Sequence, residues 1–139
     1  MKLSNDGYYT NRHSCFLLQY HLVLVTKYRK PAIQNDIQSF LYQYTAEYFD
    51  KQGCHIMEMN GEADHIHILF EAPPQINLAN FVNAYKAASS RQVRTHCKEE
   101  VDKFYWKPVF WSLSYFIATV SERSTAIVQK YIQNQGYQE

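Results

Sequence analysis

Runs of strand composition alternate with runs of helical spacing along these 139 residues, and two strand-like runs follow one another directly through a short glycine-containing turn. Alternation with one direct hairpin in the middle predicts an α+β fold. Its expected form is a mainly antiparallel sheet of the ferredoxin-like or RRM-like kind, with helices on one face. A single domain over 1–139 is expected for this length, and only four Gly and four Pro, with no repeat or low-complexity tract, predict order nearly throughout. The sheet face not covered by helices is left for function or for a partner.

Residues 15–26, CFLLQYHLVLVT, are rich in β-branched and aromatic side chains and predict the first strand, which Lys27 to Pro31 breaks. Asn35 is the expected N-cap of a helix reaching about residue 52, with Ile37, Phe40, Leu41, Tyr44 and Tyr48 at helical spacing and Gly53 at its end. HIMEMN (55–60) and DHIHILFE (64–71) predict an antiparallel hairpin across Gly61-Glu62-Ala63. Pro73-Pro74 stops it, and Asn77 caps a second helix with Leu78, Phe81, Val82, Tyr85 and Ala88 on one side. Between Thr95 and Pro108 a short helix and a loop are expected. SLSYFIATV (112–120) predicts the last strand, and Ser121 or Ser124 caps a final helix, about 122–135, containing Ile127, Val128, Tyr131 and Ile132. The resulting order is βαββαβα.

A formal net charge of +1 argues against the strongly basic surface of a general nucleic-acid coat. Twelve Tyr and eight Phe are more informative, because aromatic faces both fill cores and stack on unpaired bases. Cys15, Cys54 and Cys97 have neither a zinc spacing nor a disulfide framework and are expected to be reduced and structural. MKLSNDGYYTNRHS lacks the apolar run of a signal peptide, and no segment approaches the ~20 apolar residues of a membrane helix, so a cytoplasmic protein is expected.

The sharpest chemical feature is His65-Ile66-His67 within a strand, where a side-chain period of two sends both imidazoles to one face and Ile66, Ile68 and Phe70 to the other. Two neutral imidazoles side by side are ready metal ligands. The same spacing also suits one histidine bonded to a neighbour and one facing solvent. In the last helix Tyr131 and Gln135 lie four residues apart on one face. A glutamine carbonyl is a neutral oxygen ligand, so His65, His67 and Gln135 would leave a divalent cation able to polarise a phosphate, with Tyr131 as nucleophile. A phenol with a pKa near ~10 needs that help. A ring packed on the sheet with its hydroxyl in solvent is the alternative for Tyr131.

YHLVLVTKYRKP, ADHIHILFEAPP, FWSLSYFIATV and VQKYIQNQ, in this order from about Tyr20 to Gln135, resemble the single-tyrosine HUH transposases of the IS200/IS605 family. The resemblance implies an HUH-endonuclease type of fold, with His65 and His67 as the metal-binding pair and Ile66 as the hydrophobic middle residue. It further implies Tyr131 as the nucleophile, Gln135 as third protein ligand, and magnesium or manganese as the ion. Such bacterial and archaeal proteins act on single-stranded DNA with subterminal hairpins and form a 5'-phosphotyrosine. They are homodimers whose tyrosine helix can complete the partner's site in trans, without ATP or another organic cofactor. The family commonly has a TVGG-like turn before the last helix where this chain has Thr119-Val120-Ser121-Glu122, and glycine permits angles that Ser121 and Glu122 resist.

Lys27, Arg29 and Lys30 after the first strand, and Lys86, Arg91 and Arg94 around the second helix, are candidate phosphate contacts as a group. Three other functions compete with this one. A domesticated relative would use the same chemistry on hairpin repeats; a noncatalytic single-strand-binding module would not need Tyr131; a hydrolytic metallonuclease would cut without a protein–DNA adduct.

Overall fold

The computed structural model describes residues 7–121 and 123–134, and the backbone of residues 2 and 3. Three two-residue strands, β1 (Lys2–Leu3), β2 (Tyr9–Thr10) and β3 (Cys15–Phe16), form a small antiparallel sheet. The main chain of the fold follows as β4 (Gln19–Val25), α1 (Asn35–Lys51), β5 (His55–Glu62), β6 (His65–Glu71), α2 (Leu78–His96), α3 (Lys98–Asp102), β7 (Phe116–Thr119) and α4 (Ser124–Asn134). The principal sheet has the order β5-β6-β4-β7, antiparallel at every pairing. It is the antiparallel α+β architecture expected.

Side-chain alternation sorts the sheet into two faces. On one, Leu22, Leu24, Ile66, Ile68 and Phe70 are fully buried beneath α1 and α2. α1 contributes Ile37, Leu41, Thr45 and Phe49, spaced four apart, and α2 contributes Phe81, Val82, Tyr85, Ser89 and Val93. Phe49 sits edge-on to Phe70, Phe81 and Tyr85 at centroid distances of 5.1, 4.9 and 5.4 Å, an arrangement that matches ring edges to ring faces. On the opposite face Val23 and Val25 form a second, smaller cluster with Val128 of α4, flanked by Phe116, Tyr131 and Ile132. α1 and α2 therefore share one face as expected, and α4 covers part of the other.

Several boundaries differ from the sequence expectation, each for a local reason. The first strand begins at Gln19, because Cys15–Phe16 pairs with β2 instead. That small sheet is tied to the main one by Tyr9, whose buried hydroxyl donates to Glu71 and is pushed up to about 12 by burial and by that carboxylate. Asn35 is not a side-chain cap: it occupies the first helical position with φ of 51°, after an N-cap Gln34 that makes no capping bond. Asn77 does cap α2, accepting from the Asn80 N–H at 3.1 Å. The hairpin turn is the two residues Ala63-Asp64, since β5 continues through Gly61 and Glu62. The last strand is shorter than expected: Trp111 forms an isolated bridge with Thr26, residues 113–115 leave the ladder, and β7 resumes at Phe116. Lys86 holds the departing segment by donating to the carbonyls of Ser112 and Leu113 at 2.8 and 2.9 Å.

No helix among the described residues is long and apolar enough to cross a membrane. Gly61 pairs with Ile66 so closely that a Cβ there would lie 2.3 Å from the His65 carbonyl oxygen. We expect Gly61→Ala to cost more than about 1 kcal/mol, since backbone on both strands must move, and a urea titration against wild type measures it.

Candidate active site

Pairing fixes where the two histidines stand. His65 lies between Val25 of β4 and Glu62 of β5, and His67 between Val23 and Asn60. Both face away from the main core, since Ile66 and Ile68 on either side are fully buried in it. They share their face with His21, which is two residues before Val23.

His65 is buried, and its Nδ1 lies 2.9 Å from Asp64 Oδ1. Asp64 Oδ2 in turn accepts from Arg29 Nε and Nη2 at 3.0 and 2.8 Å, and Arg29 Nη1 donates to the carbonyl of Ile132 in α4. Carboxylate, guanidinium and helix backbone thus join the histidine strand to the residue next to Tyr131. With Nδ1–H directed at Asp64, a neutral His65 presents the Nε2 lone pair, the form a metal ligand needs. Burial pushes the Asp64 carboxyl up, but hydrogen bonds from His65 and Arg29 and the Arg29 charge outweigh it and hold the group below its ordinary value.

His67 has a different neighbour. Its Nε2 is 2.9 Å from His21 Nδ1, and the two rings stack at 5.1 Å with 21° between planes. Burial lowers the pKa of both; for His67 the nearby His21 and His65 lower it further, and Glu58 opposes the shift in each. Neutral rings at neutral pH follow, as ligation requires.

Among the described residues, the group whose ligand atoms lie together, all within 4.8 Å, is Glu62, Asp64 and His65. This mixed carboxylate and imidazole set suits a divalent cation with oxygen preference. His67 lies on the same face beside it, turned toward His21. Gln135 lies outside the described residues.

Tyr131 is half-buried, its ring tilted against Phe116 at 5.4 Å and its hydroxyl 2.9 Å from Ser114 Oγ. Ser114 belongs to the segment that Lys86 holds, so that lysine positions the tyrosine's neighbour. The link from β7 to α4 is closed by Ser124 Oγ, which accepts from the Ser121 N–H at 3.0 Å and donates to the Ser121 carbonyl at 2.8 Å.

The six cations singled out from sequence fall into distinct roles. Arg29 is buried against Asp64, and Lys86 is occupied by loop carbonyls. Lys30 and Arg91 are exposed, Arg94 bonds Ser90 Oγ at 3.2 Å, and the Lys27 ammonium lies 5.3 Å from the Tyr28 ring centroid. Sequence reasoning missed His21, Asp64, Glu62 and Ser114. An aspartate directly before the HxH and a histidine in period with Val23 and Val25 were the available signals for two of them. Nothing local marked Ser114.

An antiparallel α+β sheet with paired histidines on one strand, and a tyrosine-bearing helix laid over the same face, has the architecture of the Y1 transposases. The family model for IS200-like transposases matches residues 14–135, and the chain belongs to that family, the IS200/IS605 transposases. The ISDra2 transposase TnpA of Deinococcus radiodurans is 33% identical over 120 residues, covering 86% of this chain and 85% of that one. The transposase for insertion sequence element IS200 of Salmonella typhimurium is 29% identical over 123 residues, 88% of this chain and 80% of its own. In three dimensions a crystal structure described as a transposase from Deinococcus radiodurans R1 superposes with a TM-score of 0.83 at 30% identity, covering 91% and 97% of the two chains. A REP-associated tyrosine transposase bound to a REP hairpin shares the fold at a TM-score of 0.57 and 8% identity, over 92% of this chain and 75% of that one. The family is one of DNA-cleaving and strand-transferring proteins.

The Asp64 carboxyl titrates lower in the folded chain than its unfolded value of about 3.9, so its stabilising effect is complete above that value and is lost as pH falls through the folded one. Thermal melts between about pH 3 and 7 should therefore show a fall in Tm below about pH 4 that is shallower in Asp64→Asn.

Proposed function

We propose that this chain cleaves and rejoins single-stranded DNA at hairpin-bearing ends, with Tyr131 as the nucleophile and His65, His67 and Gln135 as protein ligands of a magnesium or manganese ion. The observation that carries the reading is that the histidines of β6 and the Tyr131 helix, seated on β4 and β7, share one sheet face and are joined through Asp64 and Arg29. Glu62 stands close enough to His65 to share in holding the cation, beside the Asp64 carboxylate that braces the His65 ring. When bound, a divalent cation polarises the scissile phosphate and offsets charge that builds on its oxygens.

In the cleavage step the Tyr131 oxygen forms a bond to phosphorus as the bond from phosphorus to the 3'-oxygen breaks. The phenolic proton leaves to an acceptor, the departing oxygen gains a proton to become a 3'-hydroxyl, and a 5'-phosphotyrosine remains. Because the phosphodiester energy is kept in the new ester, a 3'-hydroxyl can reverse the step on another strand, which is how one residue both cuts and joins. His67 acts as a neutral base toward the cation, a state supported by its lowered pKa, and the Asp64 bond to Nδ1 leaves Nε2 as the ligand atom of His65. Ser114 orients the phenol before DNA arrives.

A hairpin-bearing partner is supported by the fold shared with the REP-hairpin complex, and a homodimer with active sites completed in trans by the family resemblance. Among the described residues the four-stranded sheet ends at β5 and β7, edges through which two copies can join.

Purified protein incubated with labelled single-stranded element ends and divalent metal should yield a covalent adduct on a denaturing gel. Tyr131→Phe should lose it by on the order of a thousandfold or more, and His65→Ala, His67→Ala or chelation should remove it likewise. Cleavage that persists in Tyr131→Phe without an adduct would mean that water attacks.

A further inference from the structure

The turn after β4 carries two consecutive non-glycine residues in left-handed backbone, Tyr28 at φ 57° and Arg29 at φ 54°. Such geometry is costly for residues that carry a Cβ and persists only where surrounding bonds overdetermine it. Here they do: the Arg29 N–H donates to the Thr26 carbonyl at 3.0 Å, Thr26 Oγ1 lies 2.7 Å from the Lys30 carbonyl, and the Tyr105 hydroxyl donates to the Lys27 carbonyl at 2.6 Å. The result is that adjacent side chains part. Arg29 turns inward to Asp64, and Tyr28 turns outward, 45% exposed, into a cavity of about 350 Å³.

That cavity is lined by Tyr28, Lys30, Phe104, Trp106, Lys107 and Val109, above Tyr105. Trp106 is 88% exposed, an unusual place for an indole with no packing role to fill. The Lys107 ammonium stands 4.8 Å from the Trp106 ring centroid and that of Lys27 5.3 Å from Tyr28, so each exposed ring is accompanied by a cation. Among the described residues no carboxylate lines the cavity. Rings for stacking beside ammonium groups for an anion, in a cavity of small-ligand size, are complementary to a nucleobase and its phosphate.

We infer that the Tyr28/Trp106 cavity is a docking site for an unpaired nucleotide of single-stranded DNA, with the base stacked on Trp106 and its phosphate met by Lys30 and Lys107. The inference rests on the proposed single-stranded substrate and adds a second anchoring point to it. The site is coupled to the histidine strand through the same strained turn, because Tyr28 cannot shift far without moving Arg29, which holds Asp64 and the Ile132 carbonyl.

The test is a metal-free titration of a short labelled oligothymidylate without a hairpin. Trp106→Ala should weaken binding about ten- to a hundredfold, and Trp106→Phe should recover most of it. Leu17→Ala, which removes another exposed apolar side chain outside this cavity, should leave affinity unchanged. In wild type the strand should quench Trp106 emission, while free thymidine monophosphate should compete only weakly, since it lacks the remaining phosphates of a strand. Equal affinity of Trp106→Ala and wild type overturns the inference, as does a loss that Trp106→Phe does not recover. The outcome is separable from the nucleophile's role. An adduct formed by a chain whose binding ignores Trp106 removes this site alone, and Trp106-dependent binding without any Tyr131-dependent adduct removes the catalytic reading alone.

Discussion

The antiparallel pairing of β4 with β6 is the constraint from which the rest follows. Its register places Leu22 opposite Ile68 and Leu24 opposite Ile66 on one face, and Val23 opposite His67 and Val25 opposite His65 on the other. A shift of one residue would exchange the faces, burying imidazoles under α1 and α2 and exposing isoleucines. The large apolar core therefore does more than stabilise the sheet: it enforces the side on which the histidines stand.

The two faces are unequal in what they bury. α1 and α2 rest on a broad cluster rich in rings, whereas α4 is seated on Val23, Val25 and Val128 with half-buried Phe116, Tyr131 and Ile132 around them. A helix held by so small an apolar patch is drawn from the low-stability end of the fold. Polar contacts make up part of the difference: Arg29 to the Ile132 carbonyl, Tyr131 to Ser114, and the paired bonds between Ser121 and Ser124. The helix is thus registered by specific bonds more than by burial, which suits an element that must carry a nucleophile to a phosphate.

Charge on the histidine face is arranged to keep the His21 and His67 imidazoles neutral. Asp64 does not leave His65 beside an uncompensated carboxylate, because the same carboxylate is spent on Arg29. His21 and His67 face each other at hydrogen-bond distance, where two positive rings would repel. Lys86, one of the group of candidate phosphate contacts in the sequence, is instead consumed in holding the carbonyls before Ser114.

The sequence by itself determined the α+β class, the central hairpin, the shared face of His65 and His67 and the Asn77 cap, because each depends on periodicity or on bonds between near neighbours. It misjudged the start of β4 and the length of β7, where residues of strand composition pair elsewhere or are drawn out of the ladder by Lys86, a residue distant in sequence. Only the tertiary structure decided that Arg29 is a brace, that His21 joins His67, and that Tyr28 and Trp106 share a cavity. These depend on contacts between segments whose separation carries no local signal: Arg29 and Ile132 meet only because the sheet brings the turn after β4 beneath the end of α4.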